Sequence, residues 1–106
     1  MKNIPIKVYQ FNTFFKRLKG LMFRIRPIVE EGILLTPCNS IHMFFMFFPI
    51  DVVFLNEQYE IVSLHKNVKP WRVILPIKNA KSALELPLGT ITNYSLQIGD
   101  TINIKQ

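Results

Sequence analysis

Residues 41–65 read IHMFFMFFPIDVVFLNEQYEIVSLH, and the way that run folds decides the architecture. The stretch 41–47 is apolar at nearly every position past His42, the pattern of a strand covered on both faces. Phe48-Pro49 then predicts a turn into DVVFL, and 56–59 a second turn into EIVSLH. The result is a meander of three strands. A membrane helix is the competing account, and it fails. The apolar run from 40 to 55 is 16 residues long, short of the roughly 18–20 that a spanning helix needs. It also contains His42, Pro49 and Asp51, and ionisable groups are costly at the bilayer centre.

The rest of the chain adds strands around that meander. IPIKVY at 4–9 suits an edge strand, with Pro5 weakening its start. Gly32 opens a short apolar strand, ILL, stopped by Thr36-Pro37. Further strands are expected at SALEL (82–86) and TINIK (101–105). Two helices are short. One begins at Asn12 or Thr13 and carries Phe14, Phe15, Leu18, Leu21 and Met22 on one stripe, with Lys16, Arg17 and Lys19 opposite. The other lies within 89–96, capped by Thr90. The expected fold is α+β and mostly β: a curled or barrel-like, antiparallel-rich sheet with one or two short helices. At 106 residues, 49% of them hydrophobic, the chain reads as one domain, 1–106, with a core that needs no staple.

A single cysteine excludes an internal disulfide. With no signal-peptide pattern in MKNIPIKVYQF, the expected compartment is the cytoplasm. The net charge of +6 is unevenly spread. Residues 1–29 hold seven bases and no acid, while 30–60 hold five acids and no base. A basic first third suits an anionic partner such as nucleic acid, phosphate or a membrane surface, although +6 also serves plain solubility.

The candidate chemistry begins at PCNSIHMFFM, where Cys38 and His42 stand four apart. On a helix that spacing gives about 6 Å and a feasible thiol–imidazole dyad. On a strand it gives about 13 Å, which excludes a hydrogen bond. The dyad therefore requires a bend at Cys38–Ser40, with Cys38 as nucleophile, His42 as base and Asp51 as the third member of a catalytic set. On the neighbouring strand Asp51 would lie about 13 Å from His42, so it better suits backbone amides of its own turn or a basic partner such as Arg17 or Arg24, since an acid entering a buried strand needs one.

Trp71 lies in KPWR between Lys69 and Arg72, where it can line a ligand site or cover one end of the sheet. Glu85 alternates with Leu84 and Leu86. It is expected in solvent if the leucines point inward, and as a buried acid with a raised pKa if it points inward itself. The metal-ligand spacings Cys-x-x-Cys and His-x-x-x-His are both missing, so no metal and no cofactor is expected. Nucleic-acid binding is disfavoured because Phe14 and Phe15 fall on the stripe needed for the core.

Taken together, R-x-x-GLM-x-R from Arg17 to Arg24, EGILL-x-PCNSIHMFFM-x-FPIDVVFL, KPWR, LELP-x-GT and a final GD turn resemble the domain of unknown function family 192, also called uncharacterised protein family 0127. The resemblance runs from about Phe11 to Ile104. It implies a compact β-rich fold with short helices, and no activity. Many members resemble exported or lipid-anchored proteins with an N-terminal hydrophobic segment, which this sequence does not show ahead of its first motif. The leading expectation is a module in which Arg17, Arg24, His42, Asp51, Trp71, Arg72 and Glu85 gather around a small anionic ligand or a peptide segment. The alternative is a thiol-dependent hydrolase or transferase using Cys38 and His42, and weak nucleic-acid binding stands third. Oligomeric state is not legible.

Overall fold

The computed structural model describes residues 2–13, 24 and 26–104. Among these residues nine strands and one short helix follow in order: β1 (Lys2–Asn3), β2 (Lys7–Phe11), β3 (Glu31–Leu35), β4 (Ile41–His42), β5 (Ile50–Leu55), β6 (Ile61–Val68), β7 (Val73–Ile74), β8 (Ser82–Leu86), α1 (Thr90–Asn93) and β9 (Ile102–Asn103). The α+β, mostly β class is as expected. The helix expected to start at Asn12 or Thr13 lies outside the described residues, Arg17 with it.

Five strands form the central sheet in the order β2-β3-β8-β5-β6. It is open, ending at β2 and β6, so it curls without closing into a barrel. One pair, β2 with β3, is parallel, and the other pairings are antiparallel. Every residue of β5 and of β8 is buried. In β5 that matches the β-branched and apolar run VVFL past Asp51, whereas β8 carries Ser82 and Glu85 inside with its leucines.

Side-chain alternation sorts the sheet into two cores. One face carries Ile33, Leu35, Val52, Phe54 and Ala83, covered by Ile41, Met43, Met46 and Phe48. The other carries Leu34, Val53, Leu55, Leu84 and Leu86, covered by Ile4, Ile91, Leu96 and Ile102. Each such side chain contributes about 1.5–3 kcal/mol when fully withdrawn from water.

The meander of three strands is corrected. Only Ile41 and His42 form a strand in the first segment, and β4 pairs with β7 rather than β5. Beyond it the chain turns: Phe45 has φ 59°, and the amide of Met46 donates to the carbonyl of Met43. Met43, Met46 and Phe48 enter the core, while Phe44, Phe45 and Phe47 stand exposed. A two-faced strand would have buried them all. The expected turn at 56–59 is present, closed by Asn56, whose Oδ1 accepts the amides of Gln58 and Glu60 at 2.9 and 3.0 Å.

The α1 cap also differs. Gly89, in a left-handed conformation, occupies the N-cap position, and the Thr90 hydroxyl donates to the carbonyl of Pro87. The free amides of that turn are accepted from across the sheet by Asp51. The expected TINIK strand shrinks to β9, paired in parallel with β1.

Candidate functional site

Asp51 sits on β5 opposite Leu86, one residue out of phase with Val52, which faces Glu85. Asp51 and Glu85 therefore lie on opposite faces of the sheet. Asp51 Oδ1 accepts the amide of Asn67 at 3.0 Å, and Oδ2 accepts those of Gly89 and Ile91 at 3.1 and 2.9 Å. Among the described residues the partners of this buried carboxylate are backbone amides. Arg24 pairs instead with Glu31.

The Asn67 amide is available because β6 carries an extra residue there. Ile50 pairs with Val68 and Val52 with His65, so Lys66 and Asn67 together face Asp51. Asn67 adopts φ 52°. A bulge of this kind bends the strand and redirects its side chains. Beside it opens a groove of about 450 Å3 lined by His65, Lys66, Asn67, Lys69, Arg72 and neighbouring residues of β7. Among the described residues the lining holds three cations, Lys66, Lys69 and Arg72, and no carboxylate. Burial holds the His65 imidazole below its usual range, and its Nε2 lies 2.7 Å from the Ser63 hydroxyl.

Next to that groove the β4 and β7 segments are bonded through Met43, whose amide donates to the carbonyl of Arg72 and whose carbonyl accepts the amide of Trp71, both at 2.7 Å. This pairing assembles a ledge of rings. His42 lies 5.2 Å from Phe44, Phe44 6.0 Å from Trp71, and Phe45 5.1 Å from Trp71, centroid to centroid. Trp71 is 57% exposed and holds φ 68°; Phe45 shares that left-handed backbone. Bulky residues adopt such angles at a cost and are retained there only when the surroundings impose them.

Glu85 occupies the centre of the sheet, flanked by Ile33 on β3 and Val52 on β5. The solvated placement is overturned, because both faces of β8 are covered. The carboxyl is buried, its Oε1 has no hydrogen-bond partner, and burial pushes its pKa from 4.5 to about 7. Its alternation with Ala83 puts it on the face covered by Met43, Met46 and Phe48.

Cys38 is half-buried, and its thiol donates to the carbonyl of Ser40 at 2.9 Å. It lines a larger open groove of about 800 Å3 with Asn39, Asn56, Glu57 and Lys81. His42 does not line that groove; its Nδ1 accepts the amide of Phe44 at 3.3 Å. Of the residues singled out by sequence, the structure brings His42, Trp71 and Arg72 together and sets Asp51 and Glu85 on the two sides of the sheet. Sequence reasoning missed Phe44, Phe45, Phe47, Lys66 and Lys69. The one available signal was the stretch 61–84, which holds five bases and no acid. Among the described residues no group of three His, Cys, Asp or Glu side chains is placed to hold a metal, and no helix is long and apolar enough to cross a membrane.

Comparison with known proteins gives a family but no activity. The family model DUF192, described as an uncharacterized ACR, matches residues 1–104. A UPF0127 protein of Thermococcus sibiricus is 43% identical over 98 residues, covering 87% of this chain and 62% of the relative; the chain thus spans under two thirds of that relative's length. A second UPF0127 protein, from Pyrococcus furiosus, is 41% identical over 104 residues, covering 95% of this chain and 89% of the relative. The fold is shared with a solved protein of unknown function from Novosphingobium aromaticivorans, at TM-score 0.79 and 23% identity, with 91% of this chain and 73% of that one covered.

Proposed function

We propose that this chain, which belongs to the uncharacterised DUF192 family, is a binding module for a small anionic ligand, held in the groove beside the β6 bulge. The observation that carries this reading is the set of Lys66, Lys69 and Arg72 around one groove with no carboxylate among its described lining residues. Anions are favoured where cations converge with none of their own sign opposed. The ring ledge alongside supplies apolar contact for the rest of the ligand. An oxyanion also suits the guanidinium of Arg72, which can present two parallel N–H donors.

The test is titration with inorganic pyrophosphate, followed by thermal unfolding. A ligand that binds only the folded state raises Tm as its concentration passes Kd. The rise should shrink as salt increases and vanish in Lys69→Ala/Arg72→Ala. A Tm that stays constant at low salt would sink the reading.

A second reading is thiol chemistry at Cys38, favoured by the position of that side chain on the wall of the larger groove. Its partner would be sought there, with Lys81 and Glu57, before His42.

A further inference from the structure

We propose that the ring ledge and the cations beside it seat this protein on an anionic bilayer surface, so that the anion bound in the groove is a lipid phosphate. The inference rests on the anion-binding reading and names the source of the anion. To the groove cations it adds an exposed apolar surface. Phe47 and Trp71 are each 57% exposed and Leu75 is 74% exposed, with Phe44 and Phe45 beside them. Phe44, Phe45 and Trp71 contact one another as one exposed surface, and Phe47 and Leu75 extend the two segments that Met43 bonds together. Contiguous exposed apolar surface marks an interaction site.

The charge around that surface selects the partner. From Ile61 to Leu84 the sequence has no Asp or Glu, and between Glu31 and Asp51 it has none either. A negative surface approaching the ledge therefore meets no like charge on the segments that build it. Aromatic side chains with an apolar body settle at the boundary between headgroups and acyl chains, and lysines and arginines nearby contact the phosphates. Phe44, Phe45, Phe47 and Trp71 are not among the residues that line the groove, which has His65 and Asn67 beside the cations. A peptide would call for rings that line its cleft; a bilayer calls for rings that stand beside the cations.

The magnitudes suit reversible docking. Each cation near an anionic leaflet strengthens partition by about fivefold at moderate salt. Lys66, Lys69 and Arg72 together then supply on the order of a hundredfold, and the rings supply the remainder. Binding of this kind weakens steeply as salt is raised.

Trp71 is the sole tryptophan of the chain and stands on the ledge, so its fluorescence reports the event directly. The protein would be mixed with vesicles of phosphatidylcholine alone, and of phosphatidylcholine containing phosphatidylglycerol. The expected result is co-sedimentation and a blue-shifted emission with the anionic vesicles only. Lys66→Glu/Lys69→Glu/Arg72→Glu should lower vesicle binding at least a hundredfold, and Phe44→Ser/Phe47→Ser at least tenfold. Both variants should keep the parental far-UV circular dichroism, because the altered side chains lie outside the core.

Two arms separate this inference from the one beneath it. If glycerol phosphate in solution raises Tm while vesicles leave the Trp71 emission unmoved, the anion site stands and the bilayer inference falls. If neither has an effect, both fall. A blue shift with soluble polyglutamate and none with anionic vesicles would overturn the inference in favour of an acidic protein partner.

Discussion

Asp51 and Ile91 are forty residues apart in sequence and joined by a hydrogen bond of 2.9 Å, from the Ile91 amide to Oδ2. With its bonds to Gly89 and Asn67, this one carboxylate fastens the start of α1 and the β6 bulge to the first residues of β5. Its work in the molecule is to hold backbone.

Asp51→Ala is therefore expected to destabilise the fold by about 3 kcal/mol, because it leaves three amides without their acceptor. Asp51→Asn should cost about 2 kcal/mol, since the amide side chain keeps one acceptor oxygen and turns an NH2 toward donors. Urea unfolding measures both. A loss below 0.5 kcal/mol for Asp51→Ala would show that water replaces the carboxylate without penalty.

Glu85 predicts a pH dependence of opposite sense to that of most carboxylates. Its folded-state pKa of about 7 lies above the unfolded value of 4.5, so the folded protein binds more protons between the two. Stability then falls as pH rises through that window and levels off above about pH 7, by roughly 3 kcal/mol in all. Glu85→Gln should abolish that slope and unfold at higher denaturant than the parent at pH 8. Identical pH profiles for the two proteins would refute the buried, unpaired carboxyl.

Trp71 and Phe45 hold left-handed backbone angles that glycine adopts freely. Both side chains are substantially exposed, so Trp71→Gly should leave stability within about 1 kcal/mol of the parent, strain relief offsetting the lost ring contacts. Ligand or vesicle binding should be lost. A Trp71→Gly protein that binds as well as the parent would mean that the strained ledge has no part in recognition.

For Cys38 the decisive experiment is alkylation by iodoacetamide in the parent and in His42→Ala. Cys38 lines the large groove, whose lining residues do not include His42, and the His42 ring stands against Phe44. The expected rates agree within about twofold; a working thiolate–imidazolium pair would separate them by tenfold or more.

The strands were legible where burial is two-sided and the apolar run is bounded by turn residues, as in DVVFL between Pro49 and Asn56. The run IHMFFMFF misled because it has no glycine or proline to mark its turn, and three phenylalanines look like core to any hydrophobic count. Their exposure follows from the positive φ of Phe45 and the pairing of β4 with β7, neither of which is written in local composition. Glu85 illustrates a second limit. Its alternation with leucines was visible, but a strand becomes buried on both faces only through neighbours distant in sequence, here β3 and β5. The groove at Lys66, Lys69 and Arg72 lies beside a bulge at which the Asn67 amide meets Asp51, a contact between residues sixteen apart.

The order of strands also governs how the chain can be made. β8 lies between β3 and β5, and β1 pairs in parallel with β9. A nascent chain on the ribosome can zip the β5–β6 hairpin early, but the sheet has a gap until Leu86 emerges, and Lys2 waits for Ile102. Such long-range closure slows folding and leaves unpaired edges waiting. Until then β3 and β5 each present an unsatisfied edge, which makes the half-synthesised protein the form most in need of a chaperone.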